Sequence, residues 1–520
     1  MTSNLIITHA PALLIAIPLF SAFITPLLSR IHHRIRDGFV VIVLAATDFL
    51  ALLLAQDIYT HGIRRYVFGA TLPSLTHPTT VTIPVRIIFE VDGLSIFMVL
   101  ISLTIAFVAA IYSTSFFKKE DGLDRYYTLL FLLTVGMIGM ELTGDMFNFF
   151  VFLEITSIAS CALIAFWIDR GESLEAAFKY IVISSIGALF VLMAIGFLYG
   201  QYDALNIAML AKNLQFTFID KIALVLLLAA LAMKAGIAPM HMWLPDAYGE
   251  APPSVTIAVV AATQASLYGV LRVCFTLYGK GVELDMTTIG WLLVGLGLLT
   301  VFIGVTMALV QKSLTRTIAF AAVGEIGYMV IGAGTALAAN LHGFANVALK
   351  GGVFHIFNDV LDIGLLFLVA GAVIYATKER DLNNLGGLAK KMKYTTIFFL
   401  IGLLAVAGMP PMNGFASKIL IYESTYQLNP IISIIAILSS ILLLAIFVKI
   451  FYSLFLGPEL PHLKDVKEVP RGMLIAMAIL TVLIIFFGLF PGYVLQTIVD
   501  PAVAALSNPT NYINAILGGA

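Results

Sequence analysis

Apolar runs of about 18 or more residues recur along the whole chain, and each is long enough to cross a bilayer as a helix. A hydrocarbon core offers no water to backbone amides and carbonyls, so a crossing segment must pair them internally. The sequence therefore predicts an all-α integral membrane protein. We expect about 14 transmembrane helices, near residues 5–29, 38–56, 92–116, 125–142, 146–167, 174–200, 219–249, 254–278, 286–310, 314–338, 341–375, 394–426, 430–456 and 472–496.

Composition supports this prediction and excludes other classes of protein. Of the 520 residues, 60% are hydrophobic and only 11% are charged, about half the charged share of an ordinary soluble domain. A net charge of −1 argues against a nucleic-acid partner. Cys161 and Cys274 lie inside apolar runs, without the spacing of a metal or redox site. We expect no disulfide, no metal and no cofactor in this chain.

Basic residues set the expected orientation. If the N-terminus faces outward, about 17 of the 29 Lys and Arg residues fall in inward loops and about six in outward loops. We therefore expect a multi-pass protein of the cell membrane with both termini outside. The N-terminal stretch lacks the basic region and cleavage site of a signal peptide, so it should form the first span. The longest outer loop, residues 57–91, has the polar and branched alternation of a short β-hairpin around Pro73, Pro78 and Pro84.

An internal repeat divides the chain. The segments AGIAPM at residues 235–240 and AGMPPM at residues 407–412 match, and at nearly the same offset Glu154 aligns with Glu325. An odd number of spans separates the equivalent positions, so the second copy should be inverted in the membrane. We predict an N-terminal three-helix segment with an outer hairpin loop (1–124), a first five-helix repeat (125–280), a second, inverted repeat (281–457), and a C-terminal helix with a tail (458–520).

Each matching Gly/Pro segment lies inside an overlong span. Proline removes a backbone donor and clashes with the preceding turn, so both helices should be broken at mid-membrane, at Gly236 and Pro239 in the first repeat and at Pro410 and Pro411 in the second. Half-helix dipoles at such breaks favour buried ions. Paired breaks predict the architecture of a transporter, whereas a kinked structural helix is the alternative.

Four charged residues lie too deep in their predicted spans to reach water by stretching: Glu154, Lys234, Glu325 and Lys418. Each charge costs about 3 kcal/mol at the centre of a bilayer. Glu154 therefore needs a cation, and Lys234 is the candidate. A static ion pair is the alternative, but buried pairs rarely repay their desolvation, and charges inside spans more often mark proton relays.

Three other basic residues lie within about two turns of a helix end, where a long stem can lift the charge to the headgroups. We expect a structural role for Arg272 and Lys449. Lys179 stays a candidate member of the relay.

The eleventh span is unusually polar for a membrane helix. His342, Lys350 and Asp362 share one stripe, and His355, Asp359 and Asp362 share the next. So polar a helix cannot face lipid. A histidine, two carboxylates and a lysine in one span indicate a hydrated proton path.

The chain resembles the antiporter-like subunits shared by complex I, Mrp sodium/proton antiporters and membrane-bound hydrogenases. The pattern is most similar to Mrp D-type, complex I N-type and hydrogenase H-type subunits, over nearly the full length. The motifs that carry the resemblance are DGLS at residues 92–95, FLE at 152–154, MKAG at 233–236 continuing to HMWLPDA at 241–247, LGGL at 385–388 and AGMPPMNGFASK at 407–418.

The resemblance implies that Glu154 and Lys234 form the family's ion pair and that Lys418 ends the relay. Three departures alter the expected path. Gln264 stands where the family has a lysine; Asp359 and Ile363 replace a histidine and a lysine; Glu325 replaces a glutamine. These departures either rewire the relay or partly disable it, and Gln264, His241 and His342 are further candidates for a relay or water chain.

We expect a proton-translocating subunit of an energy-converting complex, either a membrane-bound hydrogenase, a related sulfur- or quinone-reducing complex, or an Mrp antiporter. The alternatives are a non-conducting scaffold paralogue and a Na⁺/H⁺ antiporter subunit without redox partners. A redox site of its own is not expected, because the chain has no cysteine cluster, no nucleotide-binding glycine loop and no paired haem histidines. The expected partners are other membrane subunits of a multisubunit complex, including related antiporter-like subunits, and protons, with Na⁺ as a further ion in the antiporter alternative.

Overall fold

The computed structural model describes residues 2–68, 87–117, 120–279, 286–340 and 343–517, which are almost entirely helical. The helices are α1 (Thr2–Ile31), α2 (His33–His61), α3 (Gly93–Phe116), α4 (Leu123–Leu142), α5 (Met146–Ile164), α6 (Gly171–Tyr202), α7 (Ile207–Asn213), α8 (Phe218–Lys234), α9 (Leu244–Glu250), α10 (Pro253–Leu271), α11 (Met286–Val310), α12 (Leu314–Ala338), α13 (Ala345–Thr377), α14 (Lys393–Val406), α15 (Asn413–Leu428), α16 (Pro430–Phe451), α17 (Arg471–Leu489), α18 (Pro491–Val494), α19 (Asp500–Ser507) and α20 (Pro509–Leu517). Short 3₁₀ or π turns cover Met240–Trp243, Arg272–Leu277, Leu382–Asn384, Leu388–Lys390, Tyr452–Leu456, Pro461–Leu463 and Leu495–Val499.

Eleven helices within the described ranges are long and apolar enough to cross a membrane. The prediction of an all-α integral membrane protein is confirmed. Helix α4 and the two interrupted helices, α8–α9 and α14–α15, are not among the eleven. The count of 14 and the division into segments stay predictions.

The two strands lie at one end of the helices. Strand β1 (Arg64–Val67) pairs antiparallel with β2 (Ile88–Val91), and Arg64 lies opposite Val91. Pro73, Pro78 and Pro84 of the expected hairpin lie outside the described residues. The end of the molecule that carries β1 and β2 is called the hairpin side below, and the other end, which carries Arg170, Lys312 and Lys378, is called the basic side.

Burial separates central helices from peripheral ones. The membrane-crossing stretches of α10 and α12 are wholly buried, and those of α3 and α13 are mostly buried. In α1, α6 and α16, by contrast, large apolar side chains such as Phe20, Phe178 and Leu438 are exposed on the outer face. Polar side chains on the central helices therefore face protein, whereas the outer helices offer apolar surface to lipid or to other subunits.

Close packing of α11 against α12 depends on glycines spaced two helical turns apart. Gly290, Gly297 and Gly304 of α11 face the backbone of α12, and a Cβ at Gly304 would lie 2.3 Å from the amide nitrogen of Gly324. Small residues let membrane helices approach closely, and van der Waals packing then holds them together. This contact fixes the position of α12, the helix that carries Glu325.

Gly304→Ala is therefore expected to destabilise the protein by about 1–3 kcal/mol, because the added methyl group overpacks a rigid backbone contact. Gly295→Ala is the matched control, since a Cβ there has no atom within 4 Å. Thermal unfolding of the detergent-solubilised variants, followed by loss of the monodisperse chromatographic peak, measures the difference. Equal melting temperatures for the two variants would contradict this account of the packing.

Candidate functional site

Both interrupted helices bring a lysine to the carboxyl end of a half-helix. Helix α8 ends at Lys234, and Gly236 follows with a φ of 72°. Helix α14 ends at Val406, Gly408 follows with a φ of 67°, and the Lys418 ammonium donates a 2.7 Å hydrogen bond to the Val406 carbonyl. The left-handed φ favours glycine at both breaks. Unpaired carbonyls at a helix end carry partial negative charge, so each break favours a cation.

In the second half, Lys418 belongs to a buried three-residue cluster. Its Nζ lies 2.8 Å from Glu325 Oε1, and His355 Nε2 lies 2.9 Å from Glu325 Oε2. All three side chains are only 1% exposed. The Lys418 ammonium also lies 4.5 Å from the centroid of the Tyr328 ring. One carboxylate thus contacts two proton-carrying groups on two different helices, α13 and α15.

Further polar side chains extend this cluster along α13. His355 Nδ1 lies 2.9 Å from the hydroxyl of Ser417, and that hydroxyl accepts a hydrogen bond from the Asn358 amide. Asn413, at the start of α15, donates a 2.9 Å hydrogen bond to Asp362. The second break is therefore surrounded by groups that can hold or pass a proton.

Gln264 connects the wholly buried helix α10 to this cluster. Its amide nitrogen donates a 2.7 Å hydrogen bond to Asp359 Oδ2, while Gln264 Oε1 and Asp359 Oδ1 are buried without hydrogen-bond partners. Asp359 lies one helical turn from His355. The residue at the expected lysine position therefore contacts one of the acidic replacements directly.

The first half is built differently from the expectation. The Lys234 ammonium is held by the hydroxyls of Ser157 and Ser184, at 2.6 and 2.7 Å. Glu154 forms no ion pair with Lys234, and its Oε1 is buried without a partner. The expected Glu154–Lys234 contact is wrong for this structure, because two hydroxyl groups from α5 and α6 satisfy the ammonium.

A small cavity adjoins Lys234. It has room for about one water molecule, about 10 Å³. It is lined by Lys234, Met140, Ser157, Ser184, Thr263 and Ser266, so it reaches α10 next to Gln264. Polar walls and this size suit an ordered water between Lys234 and the centre of the molecule.

Two predicted relay lysines lie away from these clusters. Lys179 is 45% exposed and forms 2.7 Å ion pairs with Glu175 and Asp246. Lys350 is 31% exposed and pairs with Asp500 of α19 at 2.7 Å. Both long side chains reach carboxylates near a helix end, so the structure does not bring them together with the buried groups.

The two remaining histidine candidates have different positions. His241 lies in the turn after the first break and is buried, and its Nδ1 has no hydrogen-bond partner. His342 lies outside the described residues.

The sequence reasoning missed a second group of buried charges. Arg272 is 4% exposed and forms a bidentate ion pair with Asp92, at 2.7 and 2.8 Å, so the expected lifting of its charge to the headgroups is wrong. Glu141, at the end of α4, is wholly buried. The sequence did contain a signal for this pair. Asp92 of the DGLS motif and Arg272 carry opposite charges, and both lie at the ends of predicted spans.

The chain matches known proteins over most of its length. A family model described as NADH:quinone oxidoreductase/Mrp antiporter, TM, matches residues 143–447, and one described as NADH-ubiquinone oxidoreductase (complex I), chain 5 N-terminus, matches residues 79–127. The N-type subunit of the NADH-quinone oxidoreductase of Desulforudis audaxviator is 30% identical, with 95% of this chain and 98% of that protein covered. The D-type subunit of the Na⁺/H⁺ antiporter of Bacillus subtilis is also 30% identical, with 97% and 98% covered.

A longer relative and two solved complexes are also similar. The A-type subunit of the Na⁺/H⁺ antiporter of Alkalihalophilus pseudofirmus is 30% identical, and the chain spans 62% of its length. A chain of the membrane-bound sulfane sulfur reductase, described as an archaeal respiratory membrane complex, superposes with a TM-score of 0.85 at 28% identity, covering 98% of this chain and 100% of that one. A chain of the Mrp complex from Dietzia sp. superposes with a TM-score of 0.86 at 24% identity, covering 98% and 99%, a likeness of fold alone.

Double-mutant cycles should separate the two halves. Lys418→Met leaves Glu325 without its lysine, so we expect destabilisation of about 3–5 kcal/mol, much of it recovered in the double variant with Glu325→Gln. The matched cycle of Lys234→Met with Glu154→Gln should show a smaller coupling than the first, because those side chains do not touch and interact only at a distance. Thermal unfolding of the purified variants measures both couplings. A large coupling in the first half, or none in the second, would contradict the geometry described here.

Proposed function

The chain belongs to the family of membrane subunits shared by NADH:quinone oxidoreductase and Mrp antiporters, and on that premise we propose that it carries protons through its two buried lysine clusters. It is an antiporter-like, multi-pass membrane subunit. The proposal concerns the path, the ion and the complex in which the subunit works.

The observation that carries the proposal is the Glu325–Lys418–His355 cluster. Glu325 lies within 2.9 Å of both other side chains, and all three are 1% exposed. Such a cluster is a poor way to stabilise a membrane protein, since desolvation offsets most of the attraction. Charged groups inside membrane helices are retained where ions or protons pass. His355 Nε2 lies 2.9 Å from Glu325 but forms no hydrogen bond in this arrangement, so a reorientation of the ring would let it take a proton from the pair without crossing solvent.

In the first half, we take the arrangement around Lys234 as one of two states between which the protein alternates during proton transport. Glu154 lies close enough to act on the ammonium electrostatically but does not touch it. When the carboxylate approaches, it stabilises the protonated lysine; when it withdraws, the two serines alone hold the ammonium and the proton is more easily released. Glu154 is partly exposed on α5, so a neighbouring subunit could move it.

The two halves would communicate through Gln264. A water in the cavity beside Lys234 would extend the path toward α10, and Gln264 already contacts Asp359. Glutamine carries no proton of its own, but its amide can order a water chain. The proton therefore moves along the membrane plane, from Lys234 through the Gln264–Asp359 contact to the Glu325–Lys418 cluster.

We propose that the parent assembly is a multisubunit energy-converting complex of the cell membrane. Solved structures of similar chains are parts of a sulfane sulfur reductase complex and an Mrp complex. Exposed apolar side chains flank Glu154 on α5, among them Val151 and Ile158, which suits a neighbouring membrane subunit. Both termini would face outward.

Lys234→Ala and Lys418→Ala should each abolish coupled proton movement in the complex reconstituted into vesicles, because each variant removes the proton carrier of one half. Lys449→Ala is the control, since that lysine lies at the exposed end of α16. Quenching of a pH-sensitive dye inside the vesicles measures transport. Full coupling in either relay variant, with the complex intact, would contradict the proposal.

Gln264→Met tests whether the Gln264–Asp359 contact links the two halves of the proton path or whether the chain is a non-conducting scaffold. The thioether keeps the volume but cannot donate to Asp359, so transport should fall by about tenfold or more while the complex still assembles. Vesicle transport and subunit stoichiometry are measured on the same preparation. Unchanged transport would mean that the path bypasses α10, and absence of transport in the unaltered complex would favour the scaffold.

A further inference from the structure

A group of buried charges that the proposed relay does not use lies between the Lys234 cavity and the hairpin side. Its members are Glu141 on α4, Arg272 in the π turn after α10, Asp92 at the start of α3 and Glu90 on β2. Each is at most 4% exposed. One arginine accompanies three carboxylates, so the group is not a balanced set of ion pairs.

Glu141 has the incomplete bonding of a proton-accepting site. Its Oε1 accepts a 2.7 Å hydrogen bond from Ser102, while its Oε2 is buried and has no hydrogen-bond partner. No lysine, arginine or histidine forms an ion pair with it among the described residues. An ionised carboxylate buried in this way costs several kcal/mol. The cost is avoided when the group binds a proton, and it is reduced when a water donates to the free oxygen. Met140, its neighbour in sequence, lines the Lys234 cavity.

Hydrogen bonds continue from Glu141 toward the hairpin side. The Tyr268 hydroxyl donates to the Glu141 carbonyl at 3.0 Å and lies 3.4 Å from the Ser95 hydroxyl. Arg272 contacts Tyr268, Ser95 and Asp92. The hydroxyls of Tyr268 and Ser95 therefore lie in a continuous set of contacts between the end of α4 and the Asp92–Arg272 pair.

Glu90 lies next to that pair. It accepts a hydrogen bond from Asn206 at 2.5 Å, and its Oε2 is buried without a partner. Burial raises the pKa of Glu90 to about 8, although Tyr512, Asn206 and Arg272 act in the opposite direction and Asp92 adds to the rise. Glu90 can therefore exchange a proton near neutral pH.

A surface cleft reaches this group from the hairpin side. Its volume is about 180 Å³, and it lies between the end of α2 and the helices α19 and α20. Asp92 and Tyr512 line it, together with Ile63, Pro501, Ala504 and Asn508. Tyr512 also lies 4.8 Å above Arg272, so the inner wall of the cleft is the charged group itself.

We propose that Glu141, the Asp92–Arg272 pair and Glu90 form a proton exit from the Lys234 cavity to the cleft on the hairpin side. This inference rests on the proposed relay. A proton released by Lys234 reaches the Glu141 carboxylate through water, passes along water and the Ser95 and Tyr268 hydroxyls to the Glu90 carboxylate, and leaves as hydronium through the cleft. Arg272 stays charged throughout. Together with the Tyr268 side chain that it contacts, it lies between the cavity and the cleft and acts as a gate.

Substitution of Glu141 tests the inner part of the exit. Glu141→Gln in the assembled complex should lower vesicle proton transport by about tenfold or more and remove a protonated-carboxyl band from the infrared spectrum. Asp145→Asn is the matched control: Asp145 is a buried carboxylate nearby that caps α5, and asparagine caps a helix equally well. Transport should therefore survive in the control.

Cysteine labelling tests the outer part without altering a charge. In a background of Cys161→Ser and Cys274→Ser, Ala504→Cys places a thiol in the cleft, and Ser507→Cys places one on the exposed face of the same helix. A charged methanethiosulfonate reagent added on the hairpin side should block transport in the first variant and not in the second.

The outcomes separate the exit from the relay. If Lys234→Ala and Lys418→Ala abolish transport while Glu141→Gln and labelled Ala504→Cys keep it, the exit is wrong and the relay stands. If the lysine variants keep transport, both proposals are wrong. Loss of transport in Glu141→Gln and labelled Ala504→Cys, with Asp145→Asn and labelled Ser507→Cys active, supports the exit.

Discussion

The contact between Glu325 and Lys418 is the interaction on which the rest of the arrangement depends. Each charge alone would be expensive inside the membrane, and together they leave little net stabilisation. The pair persists because other groups surround it. The Val406 carbonyl at the end of α14 accepts a hydrogen bond from the Lys418 ammonium, and His355 contacts the second carboxylate oxygen of Glu325. Wholly buried helices exclude lipid from the pair. A proton-carrying group is thereby kept away from lipid, with partners on three sides.

The break in α14–α15 is what makes this position available. An unbroken helix would hold its carbonyls in internal hydrogen bonds, whereas the left-handed Gly408 ends α14 and exposes the Val406 carbonyl to Lys418. The equivalent break after Lys234 supplies the same partial charge, but two serines take the place of the carboxylate. The two halves thus hold their lysines with different partners, hydroxyl groups in the first and a carboxylate in the second.

Much of this arrangement could be predicted from the sequence, because charged residues are rare inside apolar membrane spans and are easily recognised there. Hydropathy predicted the membrane fold, and depth within a span singled out Lys234, Glu325 and Lys418, which lie in the two clusters, together with Glu154, which lies outside them. Pairing was harder. Burial depth and the family resemblance indicated a contact between Glu154 and Lys234, but Ser157 and Ser184 hold that ammonium instead, whereas Glu325, which aligns with Glu154 in the repeat, does contact a lysine. Hydroxyls in an apolar helix give no charge signal.

Other errors came from side-chain reach and from distant partners. Lys350 shares a helix face with polar residues, and Lys179 lies near a helix end, yet the stems of both carry their charges to Asp500 and Asp246 at the edges. Arg272 is buried because it pairs with Asp92 at the start of α3, which is 180 residues away in the chain. Glu141 was overlooked because it lies at the end of a span, where carboxylates are ordinary.

Ordered water between Lys234 and Gln264 tests the central claim most directly. An experimental density map of the assembled complex that resolves water molecules would serve. We predict at least one water in the cavity lined by Ser157, Thr263 and Ser266, hydrogen-bonded to the Lys234 ammonium and continuing toward Gln264. A dry layer of packed side chains around Gln264, in every state of the cycle, would contradict proton transfer between the two halves.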